Sequence, residues 1–315
     1  MQRTAITLAI TFIIGITLLG TAHGLSDPAS LSAKLEPYID CINRHSERAS
    51  SSHARYLSWI KKPSKGPTGR ERIIYGLYTL YDPADCVAAV AASAGIEPAN
   101  AELEAAGASY GQALVALYEI TNEANTYYEL EDYRDDKMKR GKSMHPALMV
   151  AFTQFENADQ VMRTVVAAQN DQLQLAILQR LEQDQGRGLP FLIQNLSIHA
   201  KFLVRAGNVS QLKDINPEEY QPALEGYEGA FRELQNFAKA NPEVTDEIIL
   251  FSLLEMTSLE YLKSGKKLWR YHRDKHRWSS GERMFINDGS GDMVEGHPSR
   301  LVRDYNNLIQ RLNSL

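Results

Sequence analysis

Apolar and small residues recur along Ala106, Tyr110, Ala113, Leu117, Ile120, Ala124 and Tyr127 at alternating steps of four and three. A repeat averaging three and a half residues returns to one face of an α-helix, whereas a strand would scatter the same residues over both of its faces. Such a seam needs a partner helix at a shallow crossing angle. Small and large side chains alternate along it, which suits interdigitated packing. Most of the chain repeats this pattern, and no segment outside residues 279–297 alternates with a period of two.

The helical segments and their breaks follow from the same reading. Leu31–Ile60 is one amphipathic stretch, broken at Lys61–Gly69 by two prolines and two glycines. Thr68 and Glu71 have capping-box spacing and predict a short helix over Arg70–Leu80. Asp82-Pro83 then separates it from a second short helix over Ala84–Ala94. Ala99–Arg140 reads as one long helix ended by Gly141. Another runs from about Pro146 to Gln185, with Leu148, Phe152, Phe155, Met162, Val165, Leu173, Ile177 and Leu181 on its apolar face. Gly186 and Gly188 break the chain again. Helices follow over Pro190–Ala206, Pro217–Ala240, Thr245 to about Lys275, and Ser299–Leu312. The first half of the Thr245 helix is apolar nearly all round, which places it at a bundle centre. Ser279–His297 is Gly-rich, and Asn287-Asp288-Gly289 suits a short hairpin turn. No internal repeat persists and no long linker divides the chain. The expected fold is all-α: an elongated bundle of long antiparallel helices with one Gly-rich loop near the C-terminus, forming a single domain over residues 25–315.

Residues 1–24 read as a secretory signal peptide. Arg3 is the positive start, Ala5–Leu19 is an uncharged apolar run, and small residues precede a cut after Gly24. The run falls short of the roughly 20 apolar residues of a membrane span. The next most apolar stretch, Ile248–Leu262, is interrupted by Glu255 and Glu260. The expected location is therefore periplasmic or secreted, with no transmembrane segment in the mature chain. Cys41 and Cys86 are the only cysteines, and an exported chain with an even pair suggests one disulfide. No cysteine follows the cut, so a lipid anchor there is not expected. The chain has 34 basic and 39 acidic residues for a net charge of −5. That balance argues against a nucleic-acid partner.

Two segments carry the chemistry. In Tyr127–Leu148, Asp135 with Lys139 and Asp136 with Arg140 have the spacing of helix ion pairs, which describes a solvated helix end. Lys263–Trp278 is the stronger binding candidate. Lys263, Lys266, Lys267, Arg270 and Arg273 lie there with Trp269, Tyr271 and Trp278 between them, a composition suited to phosphate, an acidic head group or an acidic polymer. A helix end whose cations answer the dipole fits the same pattern. His272 and His276 sit four apart and form the alternative, a metal pair. They lack the Glu of the zinc-protease signature and are surrounded by cations, so packing between helices is the expected role. No phosphate-binding loop, calcium loop or nucleophile elbow is complete. No cofactor and no catalytic residue is expected.

The chain also resembles a known family. YIDCINR around Cys41, GPTGRERIIYGLY over Gly66–Tyr78, YRDDK over Tyr133–Lys137 before a His145-Pro146 helix start, and LVRDYNNLI over Leu301–Ile309 are similar to the YiiG-like proteins. The resemblance implies an exported helical protein of the bacterial envelope, often lipid-anchored, with a domain of unknown function and no activity to transfer. The combined expectation is a binding or scaffold protein without catalysis, whose partner is an envelope protein or an anionic surface. The alternative is a periplasmic metal-handling protein using His272 and His276.

Overall fold

A computed structural model describes residues 28–246 and 251–314. The signal-peptide reading, the cut after Gly24 and part of the Thr245 helix lie outside those residues. Among the described residues the structure is helical, with no strand. The backbone forms two compact units that meet in sequence between Ala176 and Ile177.

The N-terminal unit holds α1 (Pro28–Ser58), α2 (Ala84–Ser93), α3 (Ala101–Glu129) and the first part of α4 (Lys139–Gln185). Its core is built on tyrosines: Tyr38, Tyr56, Tyr110 and Tyr127 are all buried, each bringing a large apolar ring and a polar end. The Tyr110 ring packs on Phe155 of α4, and its hydroxyl lies 3.1 Å from Ser46 Oγ of α1. His145 ties α4 to α1 through the Tyr56 hydroxyl at 2.9 Å. Its Nε2 donates to the Pro63 carbonyl, which leaves Nδ1 to accept from that hydroxyl. Lys34 is fully buried and donates to Glu104 Oε1 at 2.7 Å and to the Ile96 carbonyl at 2.9 Å. Cys41 of α1 and Cys86 of α2 are joined as a disulfide, with Cα atoms 5.3 Å apart.

Of the predicted α3 seam, Ala106, Tyr110, Leu117, Ala124 and Tyr127 are buried, while Ala113 and Ile120 sit at its half-buried margin. Two expectations in this unit fail. The Ala99–Arg140 helix stops at Glu129, and the backbone then turns through left-handed residues at Glu131, Lys137 and Met138. Asp136 does not pair along a helix with Arg140; it caps the start of α4. Its carboxylate accepts the backbone N–H groups of Lys139 (3.1 Å) and Arg140 (2.8 Å) and the Tyr127 hydroxyl (2.8 Å). Gly141 consequently lies in the first turn of α4 and does not end a helix.

The second failure is Arg70–Leu80, which is a strap without helix. Glu71 spends its carboxylate on the turn, accepting from Thr68 N, Thr68 Oγ1 and Gly69 N, each at 2.7 Å. Gly76 follows with φ +63°, a left-handed conformation that a helix interior does not accept. The Thr68–Glu71 spacing that suggested a helix start therefore closes a turn, and the apolar residues beyond it, Ile74, Leu77 and Leu80, recur every three residues.

The C-terminal unit holds the last turns of α4, α5 (Leu189–Gly207), α6 (Pro217–Ala240), α7 (Pro242–Asp246), α8 (Phe251–Arg273), α9 (Ser280–Asn287) and α10 (Pro298–Leu312). Tyr220 and Tyr227, seven apart on α6, donate to the carbonyls of Gly265 and Ser258, seven apart on α8, both at 3.0 Å. The two sums of residue numbers are equal, so α6 and α8 run antiparallel in register. Gly265 lets Leu224 and Leu203 come close; a Cβ there would meet their side chains at 3.0 and 3.1 Å. Tyr261 donates from α8 to the Ala200 carbonyl of α5 at 2.9 Å. The predicted faces of α6 and α10 are buried, including Leu224, Phe231, Leu234, Leu301 and Leu308.

α8 is not buried all round. Met256 and Leu259 face solvent, and the buried side runs through Leu254, Ser258, Tyr261 and Leu268. The suggested hairpin is also replaced. Ser279 and Glu282 make a full capping box that starts α9, and Asp288 and Gly289 close it before a turn of 3-10 helix at 291–293.

Candidate anion-binding groove

The basic residues of α8 are placed by its amphipathic register. Leu254, Tyr261 and Leu268 recur at steps of seven and face inward, so Lys263, Lys266, Lys267 and Arg270 flank or oppose that stripe. Beside them α10 begins. The His297 ring caps it, Nδ1 accepting from Ser299 N at 3.2 Å, and Arg300 follows in the first turn. Between the two helices lies a groove of about 230 Å³. It is lined by Lys263, Lys266, Lys267 and Arg270 from α8, Arg300 from α10, and two carboxylates, Glu260 and Glu295.

Four of the five predicted basic residues therefore share one groove. The fifth, Arg273, is turned to its neighbour Asp274 at 2.8 Å, and that guanidinium holds the Asp274 carboxyl below its usual range. Sequence reasoning missed Arg300 and the acids. Lys263 pairs with Glu260 at 2.6 Å and Lys267 with Glu295 at 3.3 Å. Lys267 also stands 5.1 Å from the centre of the Tyr271 ring, and Glu295 raises the pKa of its ammonium. Lys266 donates to Glu228 of α6 at 2.7 Å and is the first cause of the lowered pKa of that carboxyl. Arg270 has no carboxylate in ion-pair contact among the described residues. Arg300 donates to the buried Asp304 at 3.0 Å, where Ser264 also donates.

These pairs differ in how easily they open. The Glu260 and Glu295 side chains are 52% and 72% exposed, and exposed pairs of that kind contribute about 0–1 kcal/mol. An incoming anion can take Lys263 and Lys267 from them at little cost. Glu228 is far less exposed and also holds Arg232. Lys266 is better fixed as a wall of the groove.

His272 and His276 do not share a helix face. α8 ends at Arg273, and Lys275 adopts φ +50°. The N–H of His276 then bonds back to the Tyr271 carbonyl and that of Lys275 to the His272 carbonyl, a Schellman ending that carries His276 off the helix. His272 Nδ1 bonds the Leu212 carbonyl at 2.7 Å, and its ring stacks on Trp269. The His276 ring stacks on Tyr271 with centroids 3.8 Å apart. Among the described residues no three His, Cys, Asp or Glu side chains gather as a metal-binding group.

Fold and groove define a class: an all-α chain with tyrosine-pinned cores and a cationic groove between two helices, with no helix among the described residues long and apolar enough to cross a membrane. The chain belongs to the family described as protein of unknown function DUF3829, whose profile matches residues 29–314. It is similar to the uncharacterized protein YiiG of Escherichia coli (strain K12), at 28% identity over 294 residues, which cover 92% of this chain and 81% of that protein. No solved structure matches it.

Proposed function

We propose that the protein is an exported binding or scaffold protein of the bacterial cell envelope, and that the α8–α10 groove takes an anionic group. The observation that carries this reading is the convergence of Lys263, Lys266, Lys267, Arg270 and Arg300 on one groove that only two exposed carboxylates line. Arg270 offers a planar fork of donors for phosphate or carboxylate, and the lysines add mobile positive charge. Export is supported by the signal-peptide pattern of residues 1–24 and by the Cys41–Cys86 pair, since disulfides persist outside the reducing cytoplasm.

The test is calorimetric titration of the purified chain with inorganic phosphate and with citrate at low salt. Binding should weaken steeply as salt rises. It should disappear when Lys263, Lys267, Arg270 and Arg300 are replaced by Gln, with the helical signal retained. Equal binding by parent and variant would assign these charges to the solvated helix surface alone.

A further inference from the structure

The strap that replaces the predicted Arg70–Leu80 helix makes a second surface, on the N-terminal unit and independent of the groove on α8. From Arg48 to Tyr81 the sequence holds seven cations and one acid, Glu71, within a chain whose net charge is −5. Arg48 and Arg55 stand on α1; the other five are exposed, Lys61, Lys62 and Lys65 in the loop that leads into the strap and Arg70 and Arg72 at its start. Glu71 is occupied by its own turn. Among the described residues none of the seven cations enters an ion pair, whereas most of the α8 cations do.

The strap is fastened to α1 by side chains and so has a fixed register. Arg55 Nε donates to the Tyr75 carbonyl at 2.9 Å and Arg48 Nε to the Thr79 carbonyl at 2.7 Å. Between them Ser52 Oγ donates to the Tyr78 carbonyl at 2.8 Å. The strap advances four residues while α1 advances seven, about 10.5 Å, so it runs at roughly 2.6 Å per residue, well beyond helical rise. Its exposure has a period of three. Leu77 and Leu80 are buried, while Tyr75, Tyr78 and Tyr81 are 49%, 37% and 50% exposed. A three-residue period in an extended chain puts these rings on one side, about 8 Å apart at that rise.

Arginine and tyrosine then interleave. Arg55 lies 5.7 Å from the Tyr75 ring centre and 4.5 Å from that of Tyr78; Arg48 lies 4.6 Å from Tyr78 and 5.8 Å from Tyr81. The result is a ladder, Tyr75–Arg55–Tyr78–Arg48–Tyr81, whose guanidinium planes are set by the rings and by the carbonyl bonds. Each Nε is used, and one terminal nitrogen of Arg48 also donates to Thr79 Oγ1 at 3.4 Å, which leaves the remaining terminal N–H groups for an outside acceptor. Beside the ladder, an open groove of about 420 Å³ is bordered by Ser51, Ala54 and Ser58 of α1, small residues that let a ligand approach closely.

We propose that this face binds a linear acidic polysaccharide, with Arg48 and Arg55 taking carboxylates and Tyr75, Tyr78 and Tyr81 offering flat faces to sugar rings. Three features select this occupant. The unpaired positive charge demands a polyanion. The exposed rings suit ligands with apolar faces and polar edges. The repeat of the ladder, about 8 Å between rings and about 10.5 Å between the two arginines, is close to the length of a disaccharide, so charge and ring can recur along such a chain. The five other cations extend the positive potential beyond the ladder.

The test uses the full mature chain, oxidised, in affinity electrophoresis and calorimetry with a polyuronate. Neutral dextran, polyglutamate and phosphatidylglycerol vesicles are the comparison probes. Polyuronate should bind, dextran should not, and polyglutamate should bind at least tenfold more weakly. Arg48→Gln with Arg55→Gln should weaken polyuronate binding by about tenfold or more, as expected for lost charge-assisted bonds. Those arginines also fasten the strap, so three further variants keep the test independent of folding. Tyr75→Phe with Tyr78→Phe should bind like the parent, and Tyr75→Ala with Tyr78→Ala should not. Lys61, Lys62 and Lys65 replaced by Gln should flatten the salt dependence with an unchanged thermal midpoint. Equal binding of polyglutamate and polyuronate, binding to vesicles alone, or no binding to any probe would each overturn the assignment.

Discussion

Tyr227→Phe and Tyr220→Phe probe the register between α6 and α8 with the least disturbance of packing. Both phenols are fully buried, and each loses a 3.0 Å bond to a helix carbonyl when the oxygen is removed. Burial drives both phenol pKa values far above their ordinary range, outweighing at Tyr227 the opposing effect of Ser258, so the hydroxyls stay protonated donors at any working pH. The carbonyls of Ser258 and Gly265 lie within α8, where each can still accept from its own helix. No acceptor is left wholly unsatisfied, and the cost of each change is about 1 kcal/mol, the net contribution of one buried hydrogen bond. The two sites lie two helical turns apart on α6, about 10.5 Å, so their effects should add to about 2 kcal/mol. Urea melts followed by helical ellipticity should show the midpoint fall with each substitution and the slope stay constant. A double variant as stable as the parent, or one whose loss falls far from the sum, would refute the antiparallel pinning of these helices.

Cys41→Ser with Cys86→Ser should destabilise the N-terminal unit by about 4 kcal/mol in the chain-entropy account of a loop closed across 45 residues, measured by comparing melts of oxidised parent and variant. His297 carries a pH dependence. Burial lowers its pKa, more than Asp292 raises it, and its neutral ring caps α10. A lowered folded pKa means that stability is fully present above the unfolded value of about 6.5 and is lost as pH falls from there toward the folded pKa. His297→Asn keeps a capping acceptor without a titrating ring, so its melts should lose less stability than the parent between pH 7 and pH 5, with equal midpoints at pH 8.

The parts of the fold that were legible in the sequence are those where local signals agree. α6 starts and ends where Pro217 and Ala240 suggested, because Asn216 caps it, Pro217 suits its first turn and one apolar stripe runs its length. The break after Glu129 was hidden because an acid three or four residues before a base stabilises a helix surface, and the same acid can equally cap a new helix, as Asp136 does. The strap was misread because the Thr68–Glu71 spacing of a capping box serves equally to close a turn with no helix behind it, as Glu71 does here; Gly76 was the local signal against a helix. Of the candidate groove, the α8 cations were legible as a charge run. Arg300, Glu295 and Glu228 were not, because tertiary packing brings them from other segments. The Arg48–Tyr81 surface did leave a trace: a stretch with a single acid and tyrosines spaced by three.

The central claim, an exported disulfide-tied binding protein, is tested most directly by fractionating the producing bacterium and trapping thiols with an alkylating probe before lysis. The chain should appear outside the cytoplasm, with a mature N-terminus at Leu25 by mass spectrometry. Cys41 and Cys86 should take up probe only after reduction. A cytoplasmic chain that retains Met1 and labels at both cysteines without reductant would contradict it.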